Sequence, residues 1–195
     1  MTKGCHFAAL EHPDILLKNI KKKFANTLKK MKNLLIIMIL LPNFCFAGSM
    51  KMIGEKGKLS EVDRVIEVKM FDNYYEPNSI KINKNETIKF VVYNLGEMVH
   101  EFNIATKEMH LNHQSEMAKM VENEILLVDR IDKKKMKELA KKDHSMSHSH
   151  SNSVLLEPNQ SAELIWKFNT NANLEAACNV PGHYEIGMIA KINNL

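Results

Sequence analysis

Near its C-terminal end the chain reads Cys178-Asn179-Val180-Pro181-Gly182-His183-Tyr184-Glu185-Ile186-Gly187-Met188. A thiol, an imidazole and a thioether follow one another at intervals of five residues, so one short loop carries three metal-ligating groups. Two His and one Cys in a plane, with a weak axial Met, are the ligands of blue copper sites. The loop supplies three of these four. The candidate for the second imidazole is His100, in the strand-like run Val99-His100-Glu101-Phe102-Asn103-Ile104. Zinc is the chemical rival, since it also takes Cys and His, but it does not call for a Met. Each residue alone has a plainer reading: a lone Cys or Met packs a core, and a His in a strand is hydrogen-bonded. Together, at this spacing, they argue for copper. Pro181-Gly182 suits a tight turn between the ligands, because Pro fixes φ and Gly tolerates backbone closed to other residues.

The thiol count supports this reading. The run Leu34 to Leu41 is apolar, follows Lys29, Lys30 and Lys32, and leads through Pro42 to Cys45-Phe46-Ala47-Gly48. A basic stretch, a short apolar stretch and a small-residue exit describe a cleaved secretory signal, here ending after Ala47. Pro42 and Asn43 interrupt the run, which falls short of the ~18–20 apolar residues of a membrane span. Residues 1–47 are therefore expected to be an N-terminal extension and signal peptide, with Met31 a natural start, and the mature chain to be periplasmic. That segment holds eight of the 27 Lys/Arg and two of the 23 Asp/Glu, leaving 19 basic and 21 acidic groups. The basic character thus belongs to the targeting segment and makes no case for nucleic-acid binding. Cys5 and Cys45 leave with it, so Cys178 has no disulfide partner in an oxidising compartment.

The elements that must position the ligands are short strands. Val65 to Phe71 alternates, with Ile66, Val68 and Met70 on one face. Tyr74 to Asn78 reads as a turn, Ser79 to Asn83 and Glu86 to Asn94 as strands, and Leu95 to Met98 as the loop before His100. Strands resume at Val154-Leu155-Leu156, Ala162 to Phe168, Asn173 to Cys178 and Met188 to Ile192. This pattern predicts an all-β, antiparallel Greek-key sandwich. Residues 48–64 read as a linker, and 65–195 as one domain.

Within that domain, residues 106–153 differ in kind. Lys107 to Asn123 and Asp129 to Lys142 have near-helical periodicity, and the low-complexity tract Asp143 to Ser151 follows. The spacing predicts a partly helical, Met/His-rich insertion with a mobile His-rich end. His110, His113, Met117 and Met120 fall along one helical stripe, and His144, Met146, His148 and His150 come next. Imidazole and thioether suit Cu(I), so these eight residues are candidates for weak auxiliary copper binding. The alternative is that the Met residues pack the helix while the His tract is solvated.

From about Val65 onward the chain resembles the cupredoxins, the family of plastocyanin, azurin and auracyanin. The resemblance rests on Gly96-x-x-x-His100 and Cys178-x-x-x-x-His183-x-x-x-x-Met188, with Asn94-Leu95-Gly96, His100-Glu101-Phe102 and Trp166-Lys167-Phe168. It is nearest to the periplasmic copper-resistance members, which also carry a Met/His-rich insertion. It implies an eight-stranded Greek-key sandwich and one type 1 copper held by His100, Cys178, His183 and Met188. Glu101 departs from the Asn or Ser that often follows the first His in small carriers and braces the Cys loop. A binuclear copper site would need a second Cys at position 182, which is Gly, and oxygen chemistry would need several paired-His motifs. The expectation is a copper-binding electron-transfer protein, not an enzyme, cycling Cu(I)/Cu(II) for copper tolerance. A redox partner would dock near His183, against Val180, Pro181 and Tyr184. The alternatives are an electron carrier to a respiratory or nitrogen-oxide reductase partner, or copper storage without redox work.

Overall fold

The computed structural model describes Lys18, residues 21–26 and residues 53–194. The chain divides into two compact units, Met1–Phe46 and Ala47–Leu195. In the first, residues 21–26 are helical and exposed; the expected signal segment and its exit at Ala47 lie outside the described residues. Among the described residues, no helix is long and apolar enough to cross a membrane.

The second unit is built from β1 (Glu55–Lys56), β2 (Arg64–Phe71), β3 (Tyr74–Glu76), β4 (Ser79–Ile82), β5 (Thr87–Asn94), β6 (His100–Ala105), α1 (Lys107–Glu122), α2 (Lys133–Ala140), β7 (Ser153–Leu156), β8 (Ser161–Lys167), β9 (Glu175–Ala177) and β10 (Ile189–Asn194). One five-stranded sheet runs β1-β8-β5-β2-β3 and the other β4-β10-β9-β6-β7. Most pairings are antiparallel, while β2 with β5 and β10 with β4 are parallel. The period-2 alternation sets the faces. In β2, Val68 and Met70 are buried while Glu67 and Lys69 are exposed. Between the sheets, Phe90, Phe102 and Phe168 pack ring against ring, with Phe90 at 5.4 Å from Phe102 and 6.2 Å from Phe168. Trp166, Ile104, Ala176 and Ala190 close the same core.

Three features depart from the sequence pattern. There are ten strands among the described residues rather than eight. Tyr74–Glu76, expected as a turn, pairs with β2, and Tyr75 buries its ring against Phe102. Part of the expected linker joins the sandwich: β1 pairs with β8, and Ile53 is buried while its carbonyl accepts from Trp166 Nε1 at 2.9 Å.

All six residues of β6 are buried, which one sheet face alone cannot achieve. Phe102 and Ile104 point into the sandwich with His100, so Glu101 and Asn103 point outward. The insertion covers that outer face. Thr106 caps α1 by accepting from Met109 N, and the buried side of the helix is His110, Met117 and Met120. Met117 and Met120 form a second apolar cluster with Val99, Ile125, Leu126 and Met146. The His/Ser tract is not featureless, since His144–Ser147 is a 3-10 turn with Met146 buried.

Candidate metal centre

His100 and Cys178 come from facing ends of β6 and β9. His183 and Met188 come from the loop that follows β9. Backbone hydrogen bonds close that loop: His183 N donates to Val180 O, Met188 N to His183 O, and Cys178 N to Met188 O. Gly182 and Gly187 take φ of +90° and +91°, the left-handed region that Gly enters without strain. Cys178 and Met188 are fully buried in one core cluster. Cys178 Sγ lies 3.4 Å from His183 Nδ1 and 3.9 Å from His100 Nδ1, and the two imidazole rings are 4.9 Å apart. His100, Cys178 and His183 thus bring their ligand atoms together at one end of the sandwich, and the loop's backbone hydrogen bonds set Met188 beside Cys178. His100 is sealed from solvent, whereas His183 keeps 8% of its surface exposed.

A residue that no sequence motif singled out holds His100 in place. Asp72, in the β2–β3 turn, places Oδ1 3.0 Å from His100 Nε2 and accepts from Glu97 N and Met98 N. With Nε2–H donated to this carboxylate, Nδ1 presents its lone pair toward Cys178. A Cβ on Gly96 would sit 2.3 Å from Asp72 Oδ1 and 2.9 Å from His100 Nε2, so only Gly lets the carboxylate reach the ring. Asn94 fixes the same loop, donating to Met98 O and Leu156 O and accepting from Gly96 N.

The electrostatics fit a cation. Burial pushes the Cys178 thiol up to about 12, so Sγ keeps its proton unless a positive charge replaces it. Burial also lowers His100 and His183, against the opposing pull of Asp72, and neutral imidazoles are the form that ligates. A buried thiol, two neutral imidazoles and a buried thioether match the donor set of a type 1 copper site.

Glu101, next to His100 in sequence, faces the insertion. Its amide donates to Cys178 Sγ at 3.4 Å, and its Oε2 accepts from Asn179 N at 3.3 Å and Asn179 Nδ2 at 2.8 Å. It therefore braces the Cys loop. Burial alone would raise this carboxyl, but hydrogen bonds and charge from His113 and His148 hold it well below the usual carboxylate range.

The eight auxiliary candidates separate. Met117, Met120 and Met146 pack the insertion's own apolar cluster. His110 is fully buried, between Asn179 and the Glu175 carbonyl, and its ring lies 5.7 Å from Tyr184. His144 is exposed on its 3-10 turn. His113, His148 and His150 come together, with ring centroids 4.9–5.5 Å apart. Around His183, Val180 and Pro181 line an apolar groove with Val99, Val121 and Val128. Tyr184, expected on this rim, instead donates to Glu175 Oε1.

A family profile for the "Cupredoxin-like domain" matches residues 35–129. A copper-resistant cuproprotein CopI of Pseudomonas aeruginosa is 39% identical over 153 residues, covering 71% of this chain and 80% of that protein. CopI of Rubrivivax gelatinosus is 28% identical over 140 residues, covering 71% of each chain. Among solved structures, auracyanin B superposes with a TM-score of 0.51 at 12% identity, covering 73% of this chain and 96% of that one. That likeness is one of fold.

Proposed function

Because this chain belongs to the CopI family of copper-resistant cuproproteins, within the cupredoxin-like fold, we propose that it is an exported type 1 copper protein of the periplasm that works by electron transfer rather than by turning over a substrate. The observation that carries this reading is the buried Cys178 thiol with His183 Nδ1 at 3.4 Å and His100 Nδ1 at 3.9 Å. His100, Cys178 and His183 would form the ligand plane and Met188 the axial position. Bound there, copper supplies a one-electron Cu(I)/Cu(II) couple.

The chain's own residues do the rest. Asp72 orients His100 and raises its basicity as a ligand, Glu101 and Asn179 hold the Cys loop, and the sandwich excludes water from the thiolate. His183 is the exit for an electron, since its ring alone of the two imidazoles reaches the surface. The apolar groove beside it, to which the insertion contributes Val121 and Val128, is where a redox partner docks.

Copper tolerance is the physiological readout. A strain lacking this protein should become copper-sensitive, and wild-type protein but not Cys178→Ser or His183→Ala should restore growth. Full restoration by both variants would overturn the reading. Unchanged copper tolerance with slowed respiration would favour an electron carrier to a respiratory partner.

A further inference from the structure

Outside the Cys178 centre, the described residues hold a second convergence of ligating groups, on the outer face of β6. Glu101 contributes a carboxylate from the strand, His113 an imidazole from α1, and His148 an imidazole from the turn after the 3-10 segment. His113 Nε2 lies 3.2 Å and His148 Nε2 2.9 Å from the same oxygen, Glu101 Oε1. The three ligand atoms lie within 4.8 Å of one another. Three separate elements, the strand, the helix after it and the turn after His144–Ser147, thus present three donors to one point.

The carboxylate is the unusual member. Glu101 is 0% exposed, and buried charges are as a rule paired or metal-bound. Its Oε2 is committed to Asn179, while Oε1 faces the two imidazoles and Asn103 Nδ2. Just outside, His150 stands edge-on to both rings, and its Nε2 lies 3.5 Å from Glu116 Oε2. His113 Nδ1 reaches the same Glu116 oxygen at 3.0 Å. Glu116 and His150 line the surface cleft through which an ion would approach.

We propose that Glu101, His113 and His148 form a second metal site, distinct from the Cys178 centre, that takes a divalent transition ion, Cu(II) before others. Nitrogen and carboxylate donors without sulfur select a divalent ion over Cu(I), and Cu(II) heads the affinity order for such donors. Ligand distances of about 2.0–2.2 Å require the present contacts to open only slightly as each Nε2 turns its lone pair to the ion and the ring keeps its N–H on Nδ1. The methionines of the insertion take no part. Because Glu101 also touches Cys178 and Asn179, the site sits against the loop that carries the type 1 ligands.

The test uses the Cys178→Ser protein, which lacks the first centre, so its outcome does not depend on the type 1 reading. Titrated with Cu(II), it should bind one ion with an axial electron paramagnetic resonance spectrum showing nitrogen coupling. His113→Gln or His148→Gln should weaken that ion by more than the roughly 10–100-fold that loss of an outer partner costs; His144→Ala should leave it unchanged. In otherwise wild-type protein the His113→Gln/His148→Gln pair should lose one Cu(II) and keep the intense charge-transfer band. No bound Cu(II) in Cys178→Ser, or the same stoichiometry and spectrum in the double variant, would overturn the proposal. Loss through Glu116→Gln with none through His148→Gln would overturn it too, placing the ion on the outer residues.

Discussion

The behaviour of His100 is set by a carboxylate from another strand turn. Asp72 fixes its tautomer and buries part of a charge beside the centre, so Asp72→Asn should weaken Cu(II) binding by about 10–100-fold while leaving the fold intact. A competition titration with a chelator measures this; unchanged affinity would show that the loop backbone alone orients the ring. The proton count follows from the same local chemistry. At about pH 7 to about pH 9 the metal-free Cys178 thiol is still protonated and both imidazoles are neutral, so filling the site displaces its proton from Sγ. Calorimetry in buffers of different ionisation enthalpy should find about one proton released as wild type fills this centre, a release missing from Cys178→Ser. Cys178, His183 and Met188 stood out in the sequence because a thiol, an imidazole and a thioether recur there at intervals of five. Asp72 did not, because an Asp in a turn has many ordinary explanations and its partner lies 28 residues away. The role of Glu101 was half legible: its position beside His100 marked it as a departure, but only the outward face of β6 turns its carboxylate toward His113 and His148.

At the scale of elements, the insertion is packed as a second layer. Met117 and Met120 lie fully buried against Val99 and Leu126, on the outer side of the strand that carries His100. Met117→Ala should cost about 2–5 kcal/mol in urea unfolding, the range for emptying a buried methionine, while the charge-transfer band persists. A change below 1 kcal/mol, on the order of a surface substitution, would mean that the helix is not packed there. The strands around the core were read correctly from their alternation: Ile66, Val68 and Met70 share the inward face of β2. The departures have local causes. Tyr74–Glu76 precedes Pro77, and Pro with Asn nearby imitates turn composition, yet the buried Tyr75 ring is what holds this edge strand. Ile53 and β1 were lost in a polar, Gly-containing segment whose partners, the indole of Trp166 and the edge of β8, lie more than a hundred residues away. In α1 polar and charged residues are spread around the helix and hide the packing face, and no single-helix pattern could say which of its histidines would meet Glu101.

For the whole molecule, ligands drawn from two strands and one loop mean that metal binding and folding are coupled. An ion present at a thousandfold its dissociation constant adds about 4 kcal/mol, which for a domain of this size raises the thermal midpoint by on the order of 10 °C. Differential scanning calorimetry should find that increase in wild type and a smaller one in Cys178→Ser; equal midpoints with and without copper would separate the centre from the fold. The two proposed sites on the two faces of β6, sulfur-rich inside and nitrogen-and-oxygen outside, would suit copper in more than one oxidation state.

Everything turns on whether Cys178 binds copper as a thiolate. Purified protein loaded with Cu(II) should show an intense visible thiolate-to-copper charge-transfer band that Cys178→Ser abolishes. A colourless wild-type complex, or a band that survives Cys178→Ser, would contradict it.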